Sequence, residues 1–356
     1  MSDERRVSMY ISDLRCISPQ KTFDGGLFTE GAIVHSGSQY WAEEPSYAGT
    51  IPNGLLRRMG KSVRLATGAA MPLLTVHAVD GIIIGSTDGG MEDCHRFLNQ
   101  VIEYNEGTLT PTTFVQGSPS AVAGGLALMA KNSGYNNTHS NKGVSFENGL
   151  MDAWLLMQEG AVKSMLVGCV EEISPAQYRI ETLAGYIKQD EIRADELFDS
   201  LSAGAVNGEG AAMFVLQDSS EHAMAEIVDF DMISFPTLED LQAKATQMLE
   251  RNGLTAADVD AVMMGLSGDA NSDHWYRDFA DAAFPESGRL SFKNLFGESP
   301  SASAFATWYA AHLLRGASPI AMTELRRSAK SLRTILIHNH YQGKQHGFVL
   351  MRGIGI

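Results

Sequence analysis

The sequence predicts an α/β protein built twice over, a layered α-β-α-β-α sandwich made of two related halves. Two observations carry this expectation: an internal repeat, and helices that are apolar on almost every side. The first copy of the repeat runs Ala78-Val79-Asp80-Gly81-Ile82-Ile83-Ile84-Gly85, and the second runs Asp258-Val259-Asp260-Ala261-Val262-Met263-Met264-Gly265. In each, an aspartate precedes a short apolar run closed by glycine. That pattern suits a buried parallel strand running into a loop.

The downstream parts recur in the same order. Residues 149–160 and 303–316 both read as apolar helices closed by a glycine. An apolar strand follows each, at 164–169 and 334–337, and each half then reaches a Phe-Val-Leu strand, at 214–216 and 348–350. A helix that is apolar all round belongs inside a protein. The two helices are therefore expected face to face between two sheets. The halves are expected at 1–216 and 217–356, joined by a helix that Thr237 caps. Leu238, Leu241, Ala245, Met248 and Leu249 form its apolar face, and Gly253 ends it.

The bulk numbers bound what the chain does. It has 356 residues, 44% of them hydrophobic and 19% charged, which suits a globular protein too long for one small core. Every apolar run is cut by a charge such as Asp80, Glu92 or Lys163, so no membrane-spanning helix is expected. The N-terminus, MSDERRVSMY, lacks the apolar segment of a signal peptide, and a cytoplasmic location is expected. A net charge of −15 repels nucleic acid and anionic membrane.

Three scattered cysteines make neither a disulfide framework nor a zinc site. Cys16 is expected after the first strand, Cys94 in a helix and Cys169 in an apolar strand, each as packing. His338, His340 and His346 cluster near the C-terminus, in a strand and the loop after it, with no carboxylate or cysteine at ligand spacing. No metal is expected there. Gly208-Glu209-Gly210 resembles a phosphate loop only superficially, having no lysine and preceding a strand.

From Gly85 to Glu171 the landmarks resemble the N-terminal half of β-ketoacyl synthases, which share the thiolase fold. They are Gly85-Ser86-x-x-Gly89-Gly90, Pro111-x-x-Phe114, Ala123-Gly124, Thr138, Ala153, Gly168 and Glu171. Gly208-Glu209-Gly210-Ala211, Lys293-x-x-x-Gly297 and Asn339 follow in order. The resemblance fades over residues 174–201 and 217–235. It implies a nucleophilic cysteine at the start of the central helix, which takes an acyl group as a thioester. It also implies two histidines that assist the condensation. Carried over, the cysteine position falls on Gly143, the first histidine at or beside Ser267, and the second on Glu298. Lys293 is retained, and the resemblance gives it Glu298 as a partner.

The chain therefore resembles the degenerate member of a ketosynthase pair, a chain-length factor, and within these the proteins of bacterial aryl-polyene and related pigment clusters. The resemblance implies a cysteine-bearing ketosynthase as partner, an acyl carrier protein docking mainly on that partner, and no cofactor. Basic residues are local, at Arg57, Arg58, Lys61 and Arg64 and at Arg326, Arg327, Lys330 and Arg333. Thr87, Asp88, Thr112, Thr113 and Phe114 would floor the partner's acyl tunnel. Asn136, Asn137, Thr138, His139, Ser140, Asn141 and Lys142 would form the strand that pairs across the dimer axis. Two other readings stay open: a stand-alone acyltransferase or decarboxylase using a nucleophile such as Ser145, and a homodimer that holds an acyl chain without reacting. Against the first, Ser145 points roughly 200° around the helix from position 143.

Overall fold

The computed structural model describes residues 7–355. Residues 1–6, part of the segment read above as lacking a leader, lie outside the described residues. The first half carries β1 (Met9–Ile17), α1 (Gly26–Thr29), β2 (Gln39–Tyr40), α2 (Asn53–Leu56), α3 (Lys61–Val76), β3 (Gly81–Gly85), α4 (Met91–Glu103) and α5 (Pro111–Gln116). It continues through α6 (Ser120–Ala130), β4 (Tyr135–His139), α7 (Ser145–Gln158), β5 (Ser164–Glu171), α8 (Pro175–Leu183), β6 (Asn207–Gly208) and β7 (Gly210–Gln217). The second carries β8 (Ala225–Ser234), α9 (Leu238–Arg251), β9 (Ala261–Met264), α10 (His274–Ala283), β10 (Gly288–Ser291) and α11 (Lys293–Phe296). It ends with α12 (Ala302–Leu314), β11 (Glu324–Arg326), β12 (Thr334–Tyr341) and β13 (Gln345–Gly353).

The duplication read from the sequence extends to strand order. The first half orders its strands β4-β3-β5-β7-β1 and the second β10-β9-β12-β13-β8, with β11 added at the far edge. In each half three strands run parallel, and the fourth and fifth alternate in direction. Among the described residues, three pairs of β1 and β8 join the two sheets: Met9 with Ile227, Tyr10 with Glu226, Ile11 with Ala225.

The repeated aspartate explains itself. Asp80 Oδ2 accepts from the amides of Lys163 and Ser164 at 2.7 and 3.0 Å, where β5 begins. Asp260 Oδ2 accepts from the amides of Arg333 and Thr334 at 2.8 and 2.9 Å, where β12 begins. Each carboxylate thus fixes the register of the strand next to its own. That is why both copies keep it.

Helices α7 and α12 pack between the sheets, each touching strands of both halves. Eleven of the thirteen residues of α12 are buried, as an all-round apolar helix requires. Helices α3 and α6 cover the outer face of the first sheet, and α9 and α10 that of the second. Thr237 caps α9 through a reciprocal pair with Asp240, and Leu241, Ala245, Met248 and Leu249 are buried. One expectation is corrected: α9 does not join the halves. It follows β8, which already lies beside β13, so the connection is the turn between β7 and β8.

Among the described residues, the two middle-layer helices hold one fully buried acid. Glu147, on the first turn of α7, is fully buried, and neither carboxylate oxygen has a hydrogen-bond partner among the described residues. Burial pushes its carboxyl up to about 7 from 4.5. A raised value means that the folded state holds the proton more tightly than the unfolded one. Its stabilising contribution is complete below about 4.5 and lost as pH rises through about 7. Glu147→Gln should therefore gain stability relative to the parent by about 3 kcal/mol between pH 4.5 and 8. Urea melts at both pH values check this, and a difference independent of pH would contradict it.

Candidate functional site

The site is built where β4 turns into α7. The chain leaves the edge strand at His139 and makes a sharp elbow in which Lys142 holds φ 54°, a left-handed conformation that is rare for residues with a side chain. A short 3-10 turn over Lys142–Val144 leads into the helix. The strand is shorter than the 136–142 expected, since it ends at His139.

Gly143 sits in this elbow, buried, with its amide donating to Gln345 Oε1 at 3.0 Å. The space a side chain would take is already filled. A Cβ built on Gly143 falls on the Cβ of Tyr341, at the end of β12. Position 143 thus offers neither a nucleophile nor room for one. Ser145 supplies no replacement: its fully buried hydroxyl donates to Lys142 O at 2.8 Å and accepts from the Asn141 amide at 2.9 Å. It closes the helix start, and no histidine reaches it.

The two positions that resemblance assigns to histidines stand nearby. Ser267 is buried; its amide and hydroxyl both donate to Asp273 Oδ1, at 2.9 and 3.2 Å. Glu298 pairs with Lys293, whose Nζ lies 2.6 Å from Oε2, the contact expected from the sequence. Burial raises the Glu298 carboxyl and Lys293 pulls it back. The Lys293 ammonium also donates to Tyr276 Oη at 3.3 Å, and that hydroxyl sits 3.4 Å from Asn339 Oδ1. Glu298 reaches this place because Gly297 turns at φ 77° against Gly208, a contact that a side chain on either would block.

Two adjacent carboxylates at the end of β5 hold the surrounding loops. Glu171 is buried and accepts from the amides of Thr87 and Asp88 at 3.1 and 2.8 Å and from Ser301 Oγ at 2.5 Å. It ties the loop after β3 to the start of α12, across the two halves. Glu172 accepts from the amides of Ser62 and Glu92, at 3.0 Å each, in the first turns of α3 and α4. Glu209 does similar work, pairing with Lys61 at 2.9 Å and accepting from the Ile173 amide at 3.0 Å. The Gly208-Glu209-Gly210 run is therefore a staple.

Ser267, Glu298 and Tyr341 border a crevice of about 410 Å³ between the halves. Asp88, Glu181, Asp269 and Glu298 line it, together with Tyr186, Trp275, His340 and Tyr341. Burial drives Asp88 upward from the ordinary carboxylate range, and the neighbouring Glu181 charge adds to this. Of the five residues expected at the partner's tunnel floor, one lines this crevice. Thr87 sits on Glu171, Asp88 faces the crevice, and Thr112, Thr113 and Phe114 lie on α5 away from it. Thr113 is buried with its hydroxyl on Thr110 O at 2.8 Å, whereas Phe114 is 65% exposed and leans on Phe97.

The remaining candidates are structural. His346 lies in β13 rather than in a loop, and His338 Nε2 meets its Nδ1 at 3.1 Å. His340 stacks on Tyr276 with ring centroids 4.2 Å apart. Burial lowers all three histidines, so they are neutral. Among the described residues no group of three or more His, Cys, Asp or Glu is placed to hold a metal. Cys16 lies inside β1, not after it, and is buried, as is Cys169; Cys94 sits in α4. Lys61 and Arg64 are taken up by Glu209 and Glu44. Sequence reasoning missed Tyr341, Glu181, Asp269 and Trp275, because the segments that carry them meet only in the fold.

At the outer edge of the first sheet, β4 pairs with β3 alone among the described residues. Tyr135, Asn137 and His139 on this strand all reach Asp152 of α7, the His139 contact measuring 2.9 Å. Exposed apolar side chains surround the edge: Leu128 of α6, Tyr135, and Met151 and Leu155 of α7.

Residues 35–185 match the family described as "Beta-ketoacyl synthase, N-terminal domain". Among solved structures, a beta-ketoacyl synthase from Burkholderia phymatum STM815 aligns with TM-score 0.80 at 19% identity, over 98% of this chain and 100% of that one. The ishigamide ketosynthase/chain length factor aligns with TM-score 0.81 at 14% identity, over 98% and 100%. The ketosynthase ApeO in complex with its chain length factor ApeC, from Xenorhabdus doucetiae, gives 0.78 at 15%, over 99% and 100%. No curated protein matches. The fold is the thiolase-like layered α/β sandwich. No helix among the described residues is long and apolar enough to cross a membrane.

Proposed function

We propose that this chain is the non-condensing partner of a ketosynthase pair, a chain-length-factor-like subunit that shapes the acyl tunnel of a cysteine-bearing ketosynthase. The observation that carries the reading is the elbow itself. The site of the nucleophile is a glycine, and Tyr341 occupies the space above it. Ser267 and Glu298 stand where the resemblance calls for imidazoles, and neither acts as a histidine does at neutral pH. Glycine forms no thioester, so condensation would rest on another subunit.

The free β4 edge and the apolar side chains around it support pairing through this face. An unpaired edge strand is a template for another chain, and an obligate interface buries about 2,000 Å² or more. Within that reading, Phe114 and its neighbour Val115, 62% exposed, are the large apolar α5 side chains available to a partner. The carrier protein would dock mainly on the ketosynthase, given this chain's net charge of −15.

Co-expression with a cysteine-bearing ketosynthase from the same source, followed by co-purification, tests the pairing. A monodisperse monomer indifferent to that ketosynthase would overturn it. Within the reconstituted pair, Phe114→Ala should shift the products to longer chains by removing a steric stop worth about 1–3 kcal/mol. Mass spectrometry of the products reads this. An unchanged length distribution with a lower yield would reduce Phe114 to a structural role. Thr113→Trp is a poorer probe, since Thr113 is buried and a larger side chain would disturb α5 itself.

A further inference from the structure

We propose that Ser202 is a nucleophile and Lys188 its general base, which gives the chain an esterase activity on uncharged acyl esters, separate from condensation. The pair stands at the border of the crevice, where Ile187, Ala203 and Ala205 line it. A bridge between Ile187 and Ala205 holds the two segments together, and the Lys188 amide donates to Ala205 O at 2.9 Å.

The lysine is 1% exposed. Its Nζ lies 2.9 Å from Ser202 Oγ, 2.8 Å from Ser200 Oγ and 3.0 Å from Ser202 O. The two hydroxyls are 3.1 Å apart. Among the described residues no carboxylate pairs with this ammonium. A buried ammonium without a counter-ion gives up its proton more readily than one in water. Burial accordingly lowers Lys188 from its ordinary value, against the pull of Asp269, Asp273 and Asp190 at longer range. A cage of carbonyls would suit the ammonium alone. Here two of the three partners are hydroxyls, which can give a proton as well as take one. The neutral amine is therefore also satisfied, donating to Ser200 Oγ and Ser202 O and accepting from the Ser202 hydroxyl.

The nucleophile can be reached. Ser202 is half-buried between Leu201, which is 93% exposed, and the exposed Ala203. The amide of Ala203, next in the chain, donates to no acceptor among the described residues. It is available to the oxyanion that forms when Ser202 is acylated. In the first step Ser202 Oγ bonds to the ester carbonyl carbon while its proton passes to Lys188 Nζ. The tetrahedral adduct then expels the alcohol, which takes that proton as it leaves. Water cleaves the acyl-serine by the same route, its proton passing through Lys188 to Ser202 Oγ, and a carboxylic acid departs. The three aspartates around Lys188 make an anionic ester the poorer substrate. The same charges hold off an acyl group carried on an acidic protein.

An uncharged alkyl fluorophosphonate, which loses fluoride to a reactive serine hydroxyl, tests this on the purified chain. Intact-mass spectrometry should show one adduct, and peptide mapping should place it on Ser202. Ser202→Ala should abolish labelling. Lys188→Met should slow it about a hundredfold. Ser202→Ala leaves Lys188 two of its three partners, and thermal unfolding of both variants checks that they fold. Hydrolysis of p-nitrophenyl acetate should be at least about tenfold faster than in Ser202→Ala. No adduct at millimolar probe, an adduct mapped elsewhere, or ester hydrolysis unchanged in Ser202→Ala would each overturn the proposal. Undiminished labelling of a folded Lys188→Met would do the same.

Discussion

Gly143→Cys is expected to yield a less stable protein that still takes up no acyl group. On the proposed reading, a thiol at this position is the first change by which condensing chemistry would be sought. Here the new Cβ would fall on Tyr341 Cβ, with the Tyr341 ring and Cα also in close contact. These are main-chain and near-main-chain atoms, which cannot swing aside as a long flexible side chain does. Overpacking at such a site costs about 3 kcal/mol. On the proposed reading the thiol also lacks a base, since Ser267 and Glu298 stand where resemblance would put histidines. Urea denaturation reads the stability, and intact-mass spectrometry after incubation with an acyl-carrier protein reads the adduct. Adding Tyr341→Ala should recover part of the stability while leaving the mass unchanged. An acyl adduct on Gly143→Cys alone would show that the elbow retains the chemistry.

Glu171→Ala is the second large effect, a loss of about 3–5 kcal/mol. The carboxylate is fully buried and satisfies three donors: the Thr87 and Asp88 amides and the Ser301 hydroxyl. Removing it leaves these donors unpaired in the interior, each at about 1–3 kcal/mol less whatever water recovers. The loop after β3 and the start of α12 would loosen together. Hydrogen exchange should therefore show increased opening at Thr87 and Asp88 and in the first turn of α12, although these lie in different halves. Protection unchanged at α12 would place the role of Glu171 within the first half only.

Much of the fold was legible because buried parallel strands and all-apolar helices leave a pattern that local sequence can carry. Asp80 and Asp260 were visible as a repeat, and their common task emerged only when their amide partners were seen. The Lys293–Glu298 pair was legible because both residues lie in one short segment. Tyr341 was not, since it stands almost 200 residues from the glycine it covers and nothing local marks it. The crevice escaped for the same reason. Its carboxylates come from four separate segments, and a lone Asp88 or Asp269 reads as an ordinary surface acid. The residues expected at a tunnel floor were grouped by resemblance alone, and of these the crevice takes in Asp88 while Phe114 lies on α5.

The placement of β1 has a consequence for how the chain is made. This strand leaves the ribosome well before its partners β7 and β8, which lie near residues 211–227. At roughly 5–20 residues per second, those partners emerge about 10–40 s later. For that interval Met9, Ile11, Leu14, Cys16 and Ile17, all buried in the finished protein, have no sheet to enter. Nascent β1 is therefore a sticky segment awaiting its neighbours, and β3 to β5 must form a sheet without it. Helper proteins that shield emerging apolar strands would act on this chain early. Moving β1 to the C-terminus by circular permutation would remove the wait while leaving every contact of the mature fold available.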